Sequence, residues 1–182
     1  MKKLFILLLL PLFLCSCRQK PQEYLITAIG ADYDGGLYTM YFEAIVANTE
    51  EQGQKREIIT AKGRTLLETV ENIEKQATLP LLTSHCGVVA VGKGITRTKL
   101  LGLMRYCKEN RNIPLSIQFI KTENPEKLLN VKPVSSISVG YDLVSMMQKT
   151  EKPLKNRLFE IYKSQSPVLP KLTLTEKGYY FD

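Results

Sequence analysis

The amino-acid sequence predicts an α/β (α+β) fold: one domain built on a mixed β-sheet with helices packed against it, followed by a C-terminal tail. Three observations carry this. Two apolar, β-rich segments flank the turn-forming ADYDGG; the unbroken run CGVVAVG has the make-up of a strand covered on both faces; helical stripes lie before and after that run. A sheet of about four to six strands is usual for one domain. The 182 residues, 44% of them hydrophobic, suffice to bury a core and do not suggest disorder.

Residues 23–30, EYLITAIG, and 37–48, LYTMYFEAIVAN, read as the two arms of a hairpin, the second alternating at Tyr38, Met40 and Phe42. Polar residues 48–55 form a loop, and REIITA is a short third strand. Thr65 with Glu68 three residues on makes a capping box. Leu66, Val70, Ile73 and Ala77 then recur at helical spacing, which predicts a helix over 65–76 closed by Leu79-Pro80. CGVVAVG follows as the central strand.

Leu100, Leu103, Met104 and Cys107 form a second helical stripe, beginning near Thr98. IPLSIQFIK then alternates Leu115, Ile117 and Phe119 as a strand, so that strand, helix and strand predict a βαβ crossover. Asn124 before Pro125 joins a capping side chain to a proline at the first helical position, predicting a short helix over EKLL. Helical patches follow at Ile137 to Met147 and Leu154 to Tyr162. The last stretch, PVLPKLTLTEKGYYFD, holds two prolines and a brief strand-turn-strand around Gly178, with little of its own to pack against.

The amino terminus is an address rather than part of the fold. Two lysines precede an apolar run from Leu4 to Leu14, the order that export machinery reads. The run is interrupted by Arg18, Gln19 and Lys20, well short of the about 20 apolar residues that a membrane-crossing helix needs. Leu14-Cys15-Ser16-Cys17 has the form of a bacterial lipobox: an aliphatic residue, a tolerant position, a small residue, then cysteine. Cleavage is expected after Ser16, leaving residues 1–16 as signal peptide and Cys17 as the lipidated amino terminus. Cys15 fits less well, because Leu14 would occupy the position that wants a small side chain. Diacylglycerol on the Cys17 sulfur, with its freed amino group open to a further acyl chain, supplies about 0.8 kcal/mol per buried methylene and holds a protein firmly on a bilayer.

Charge and side-chain chemistry narrow the function classes. The formal charge of +7 becomes +5 once Lys2 and Lys3 leave, with 23 basic residues against 18 acidic, and the basic residues are scattered. Nucleic acid is therefore a poor partner. Arg18 and Lys20 would instead face anionic headgroups beside the anchor. Cys86 and Cys107 could oxidise outside the cytosol, but each lies in an apolar segment where cysteine behaves as a small hydrophobe. The single histidine, His85, cannot complete a familiar zinc set with them. Gly92 and Gly94 in VGKG are a fragment of a phosphate loop without the third glycine or a following GK[ST]; a strand-to-helix turn explains them. Ser84-His85 lacks the GxSxG context of a hydrolase, and His85 is expected at the mouth of the central strand, making a structural hydrogen bond. Asp32 and Asp34 lack the twelve-residue calcium loop and suit a turn. No catalytic set, metal or cofactor is expected.

Taken in order, these segments resemble the N-terminal domain of the Ger(x)C lipoproteins, the C subunits of spore germinant receptors in endospore-forming Gram-positive bacteria. The parallels are the lipobox cysteine, the early strand ending TAIGADYD, AKGRTLLETVENI, SHCGVVAVGKGI, LSIQFIKTENPEKLL and the late SPVLPKL. They span nearly the whole mature chain. Directly after Cys17 the sequence reads RQKPQEY, and there is no tryptophan where family members usually carry one. The resemblance implies a lipid-anchored, non-enzymatic subunit on the outer face of the cytoplasmic (inner spore) membrane, partnered by integral membrane A- and B-type receptor subunits. Members run to about twice this length with further domains, typical domains being about 100–150 residues. The expected organisation is thus a domain over 17–165 and, over 166–182, a tail resembling the start of a second domain. The alternative of a different class is a stand-alone lipoprotein that binds a small ligand, such as the solute-binding component of a transporter; an exported enzyme comes third.

Overall fold

The computed structural model describes residues 22–47, 54–150, 156–163, 168–175 and 178–181. Strands β1 (Tyr24–Asp34) and β2 (Leu37–Ala47) form the antiparallel hairpin, joined by Gly35 and Gly36. Both glycines have positive φ, 56° and 85°, the backbone that a tight two-residue hairpin turn requires and that side chains resist. A bulge at Thr27 shifts the register between Ile26 and Ala28. It lets Ile26 and Ile29 point to one face and Ala28 to the other. Strand β3 (Gln54–Gly63) pairs antiparallel with β2 and is longer than the expected REIITA.

Beyond the hairpin come β4 (Leu81–Leu82), β5 (Val88–Val91), β6 (Gln118–Thr122), β7 (Lys171–Thr175) and β8 (Gly178–Phe181). The sheet runs β3-β2-β1-β5-β6-β7-β8, with β4 pairing beside the start of β1, so it has eight strands rather than four to six. Strands β1, β5, β6 and β7 are parallel to one another; β2, β3 and β8 are antiparallel to their neighbours. This is the mixed sheet of a single α/β domain.

Among the described residues five helices cover it: α1 (Leu66–Gln76), α2 (Arg97–Glu109), α3 (Pro125–Asn130), α4 (Val139–Gln148) and α5 (Leu158–Lys163). Val70 and Ile73 of α1, Leu103, Met104 and Cys107 of α2, and Leu158 and Ile161 of α5 pack with Ile29, Phe42, Val89 and Phe119 on one face. Leu128 and Leu129 of α3 and Leu143 and Met147 of α4 pack with Ala28, Val88, Ala90 and Ile120 on the other. Strand β5 is buried on both sides, as its composition predicts, and β5-α2-β6 is the expected crossover. Each large apolar side chain fully buried here contributes about 1.5–3 kcal/mol.

Local capping sets the helix starts. The Thr65 hydroxyl accepts from the Glu68 amide at 3.1 Å while Glu68 accepts from the Arg64 amide, one residue before the cap. Asn124 Oδ1 accepts from the Lys127 amide with Pro125 at the first position. Helix α4 begins at Val139 rather than Ile137, because Ser138 is extended and its hydroxyl caps Tyr141 N–H. Strand β6 likewise begins at Gln118, later than its alternation suggests: the Ile117 amide donates to the Pro114 carbonyl, closing a turn that leaves Leu115 57% exposed. Part of the patch expected from Leu154 lies outside the described residues, and its helix starts at Leu158. The C-terminal stretch does have something to pack against. Strand β7 joins β6, and Leu172 and Tyr179 are buried in the second core.

Candidate functional site

Ser16 and Cys17, the expected cleavage and lipidation residues, lie outside the described residues. The other motifs singled out from the sequence do not converge. Ser84 and His85 sit on a short 3-10 turn, Thr83–His85, not on a strand, and both are exposed. No hydrogen bond of the His85 ring is found among the described residues. Cys86 and Cys107 are free and buried in the same core. Burial pushes the Cys107 thiol up to about 12 and raises Cys86 as well, away from the reactive thiolate. Among the described residues no group of three His, Cys, Asp or Glu side chains could hold a metal ion.

The GKG loop is a close contact rather than a cradle. Asp32 Oδ1 accepts from the Tyr33 amide at 2.8 Å and from the Gly94 amide at 3.0 Å. A Cβ on Gly92 would lie 2.3 Å from Asp32 Cγ, and one on Gly94 would lie 1.8 Å from the Tyr33 carbonyl oxygen. The glycines are there because the loop lies directly on the end of β1. Asp32 and Asp34 thus lie in β1 rather than in the turn, which is left to Gly35 and Gly36, and Asp32 fastens the GKG loop to the end of that strand.

The polar chemistry of the interior centres on two carboxylates that the sequence reading did not single out. Glu43 is fully buried in β2, where it interrupts the apolar series of Phe42, Ala44 and Ile45. The Val139 and Gly140 amides, the first two of α4, donate to its Oε1 and Oε2 at 2.8 Å each, Thr27 Oγ1 donates at 2.8 Å, and Arg56 Nε at 2.5 Å. Arg56 also donates to the Leu129 carbonyl at the end of α3. A carboxylate at a helix amino terminus meets both unpaired amides and the positive end of the helix dipole. Strand β1, strand β2, strand β3, α3 and α4 are all tied to this one side chain.

Asp142, 2% exposed, does the same for the segment that leads into α4. It accepts from the Val134 amide at 2.5 Å, from the Ser135 hydroxyl at 2.8 Å and from the Tyr179 hydroxyl of β8 at 2.8 Å. Burial acts to raise its pKa, but the surrounding donors of Ser136, Val134, Ser135 and Tyr179 outweigh it and hold the carboxyl at about 2. Burial and the adjacent Asp142 raise Tyr179. Both carboxylates are saturated with donors and closed to solvent. Their chemistry is to position backbone. A carboxylate inside a buried stripe, as in YFEAIV and GYDLV, is the signal that could have found them.

Residues 22–174 match the family described as spore germination protein N-terminal domain. The chain belongs to this family. The matched span runs from just before β1 into β7 and takes in Glu43, Arg56 and Asp142; Tyr179 lies past it. Comparison with curated proteins and with solved structures returns no match. Among the described residues of this germination-protein domain, no helix is long and apolar enough to cross a membrane.

Proposed function

We propose that this chain is a lipid-anchored, non-enzymatic subunit of a spore germinant receptor, acting in nutrient-triggered germination through protein–protein contacts at the membrane. The family match carries the germination role, and Leu14-Cys15-Ser16-Cys17 carries the anchor. In this reading cleavage falls between Ser16 and Cys17, and the Cys17 sulfur bears diacylglycerol. The domain then stands on the outer face of the cytoplasmic membrane, which is the inner membrane of the spore. Its partners are the integral membrane A- and B-type subunits. The saturation of Glu43 and Asp142 supports contact over catalysis, since each is committed to holding α4 and the residues before it.

Labelled palmitate fed to cells making the wild-type chain and Cys17→Ser tests the anchor: label on the wild type alone is expected, and persistent label on Cys17→Ser overturns it. Co-purification from spore membranes tests the assembly. Recovery with two multi-span proteins is expected; recovery with an ATPase and a permease assigns the chain to solute uptake instead.

A further inference from the structure

The sheet has one long open edge, and the registers fix which of its backbone groups face outward. The Gly92 amide donates to the Ala31 carbonyl, so Ala31 turns its backbone groups to β5, and its neighbours Gly30 and Asp32 turn theirs to β2. Gly30 and Asp32 lie opposite Tyr41 and Thr39, which leaves Met40, Phe42 and Ala44 to bond β3 at Ala61, Ile59 and Glu57. The N–H and C=O groups of Arg56, Ile58, Thr60 and Lys62 therefore point away from the sheet. Asn72 Nδ2 donates to the Lys62 carbonyl at 2.9 Å, which fits the same direction and closes that end of the strand. Among the described residues no strand pairs with the outward groups of Arg56, Ile58 and Thr60.

Native sheets guard such edges with short strands, bulges, prolines or charges. The other edge, β8, is only four residues long. Strand β3 has ten, in unbroken register with β2 and without a proline. Lys55 and Lys62 stand toward its two ends, but the Arg56 side chain is turned inward to Glu43 and the Leu129 carbonyl. In the middle, Ile58 and Ile59 are each half-buried, one against either core. Both faces of the edge thus carry apolar surface that one chain leaves incompletely covered.

We propose that β3 pairs antiparallel with β3 of a second copy of this chain, across a two-fold axis at Ile58, joining two sheets into one. A closed two-fold requires a surface that complements itself. With Ile58 opposite Ile58, Arg56 lies opposite Thr60, Glu57 opposite Ile59 and Lys55 opposite Ala61, so no like charges meet. The bonded pairs from Arg56 to Thr60 then use only free backbone groups. Other centres fail. Centring on Glu57 sets that carboxylate against its own copy, centring on Arg56 opposes two guanidinium groups, and centring on Ile59 sets Arg56 against Lys62. Centring on Thr60 calls on the Lys62 carbonyl, which Asn72 already occupies. This self-complementarity selects a second copy over a strand of another protein. The pairing rests on the sheet and not on the proposed anchor.

The test is sedimentation equilibrium of the mature full-length chain carrying Cys17→Ser. Dimers are expected with a Kd on the order of 100 μM or tighter, the weak end that suits a small interface. Thr60→Pro, at an exposed position, deletes a donor that only the dimer uses. It is expected to weaken association at least about tenfold with circular dichroism unchanged. Ile58→Lys sets two ammonium groups face to face on the axis and is expected to do the same. Mild oxidation reads the register: Ile58→Cys is expected to cross-link to its copy, and Lys62→Cys is not. A wild type that stays monomeric at roughly 1 mM, association unaltered in either variant once folded, or cross-linking of Lys62→Cys in preference to Ile58→Cys overturns the proposal. So does a monomeric wild type whose recovery with membrane proteins is lost in Thr60→Pro, which gives the edge to another chain.

Discussion

Tyr179 donates its hydroxyl to Asp142 Oδ2 at 2.8 Å, joining the last strand of the sheet to a helix 37 residues earlier in the chain. The same carboxylate holds the Val134 and Ser135 amides, so one side chain fixes both the C-terminal hairpin and the lead into α4. Tyr179→Phe removes one of several donors and is expected to cost about 1 kcal/mol. Asp142→Ala strands the buried amides as well and is expected to cost about 2–3 kcal/mol. Urea unfolding measures both, and amide exchange at Val134 and Ser135 should rise markedly only in Asp142→Ala.

Acid should expose the same site. The Asp142 carboxyl titrates at about 2 in the fold against an ordinary 3.8. Its folded pKa is thus depressed, so its stabilisation is fully present above the ordinary value and is lost as pH falls from about 4 toward 2. The loss over that window is about 2 kcal/mol. Asp142→Asn should flatten this part of the stability curve; an unchanged acid limb in that variant contradicts the assignment.

Much of the fold was legible because its signals are local. Thr65 with Glu68, Asn124 with Pro125, and Gly35-Gly36 each specify their geometry within four residues. The valine-rich β5 announced its own burial. What escaped depends on partners far away in sequence. The C-terminal strands look unsupported until Leu172 and Tyr179 are seen against the second core. Glu43 reads as an ordinary strand glutamate until α4, nearly a hundred residues later, supplies its donors. Lys121 and Lys171 likewise stand far apart in sequence, and only the parallel register of β6 and β7 sets them side by side.

Glu43 is expected to be the most sensitive polar position in the core. Glu43→Gln keeps the shape but withdraws the charge facing Arg56 and gives the two α4 amides a single acceptor oxygen between them. Breaking a buried pair by changing one partner costs about 3–5 kcal/mol. Arg56, whose side chain is 21% exposed, can shed part of its loss to water, so Arg56→Met should cost less than Glu43→Gln. A double-mutant cycle by chemical denaturation reads the coupling; additive effects contradict a direct interaction.

Two glycines should respond to alanine with opposite signs, because only one is short of space. A Cβ on Gly94 would meet the Tyr33 carbonyl oxygen at 1.8 Å and Asp32 Oδ1 at 2.8 Å, so the loop must lift from β1 to admit it. Gly94→Ala is accordingly expected to cost about 1–3 kcal/mol, as overpacking does. Gly102, inside α2, has nothing within 4 Å of the same added atom. There the gain in helix propensity acts unopposed, and Gly102→Ala should stabilise by about 0.5–1 kcal/mol. Thermal unfolding of the pair separates the two causes: destabilisation by both substitutions contradicts the space argument at Gly102, and tolerance of both contradicts the contact between the GKG loop and the end of β1.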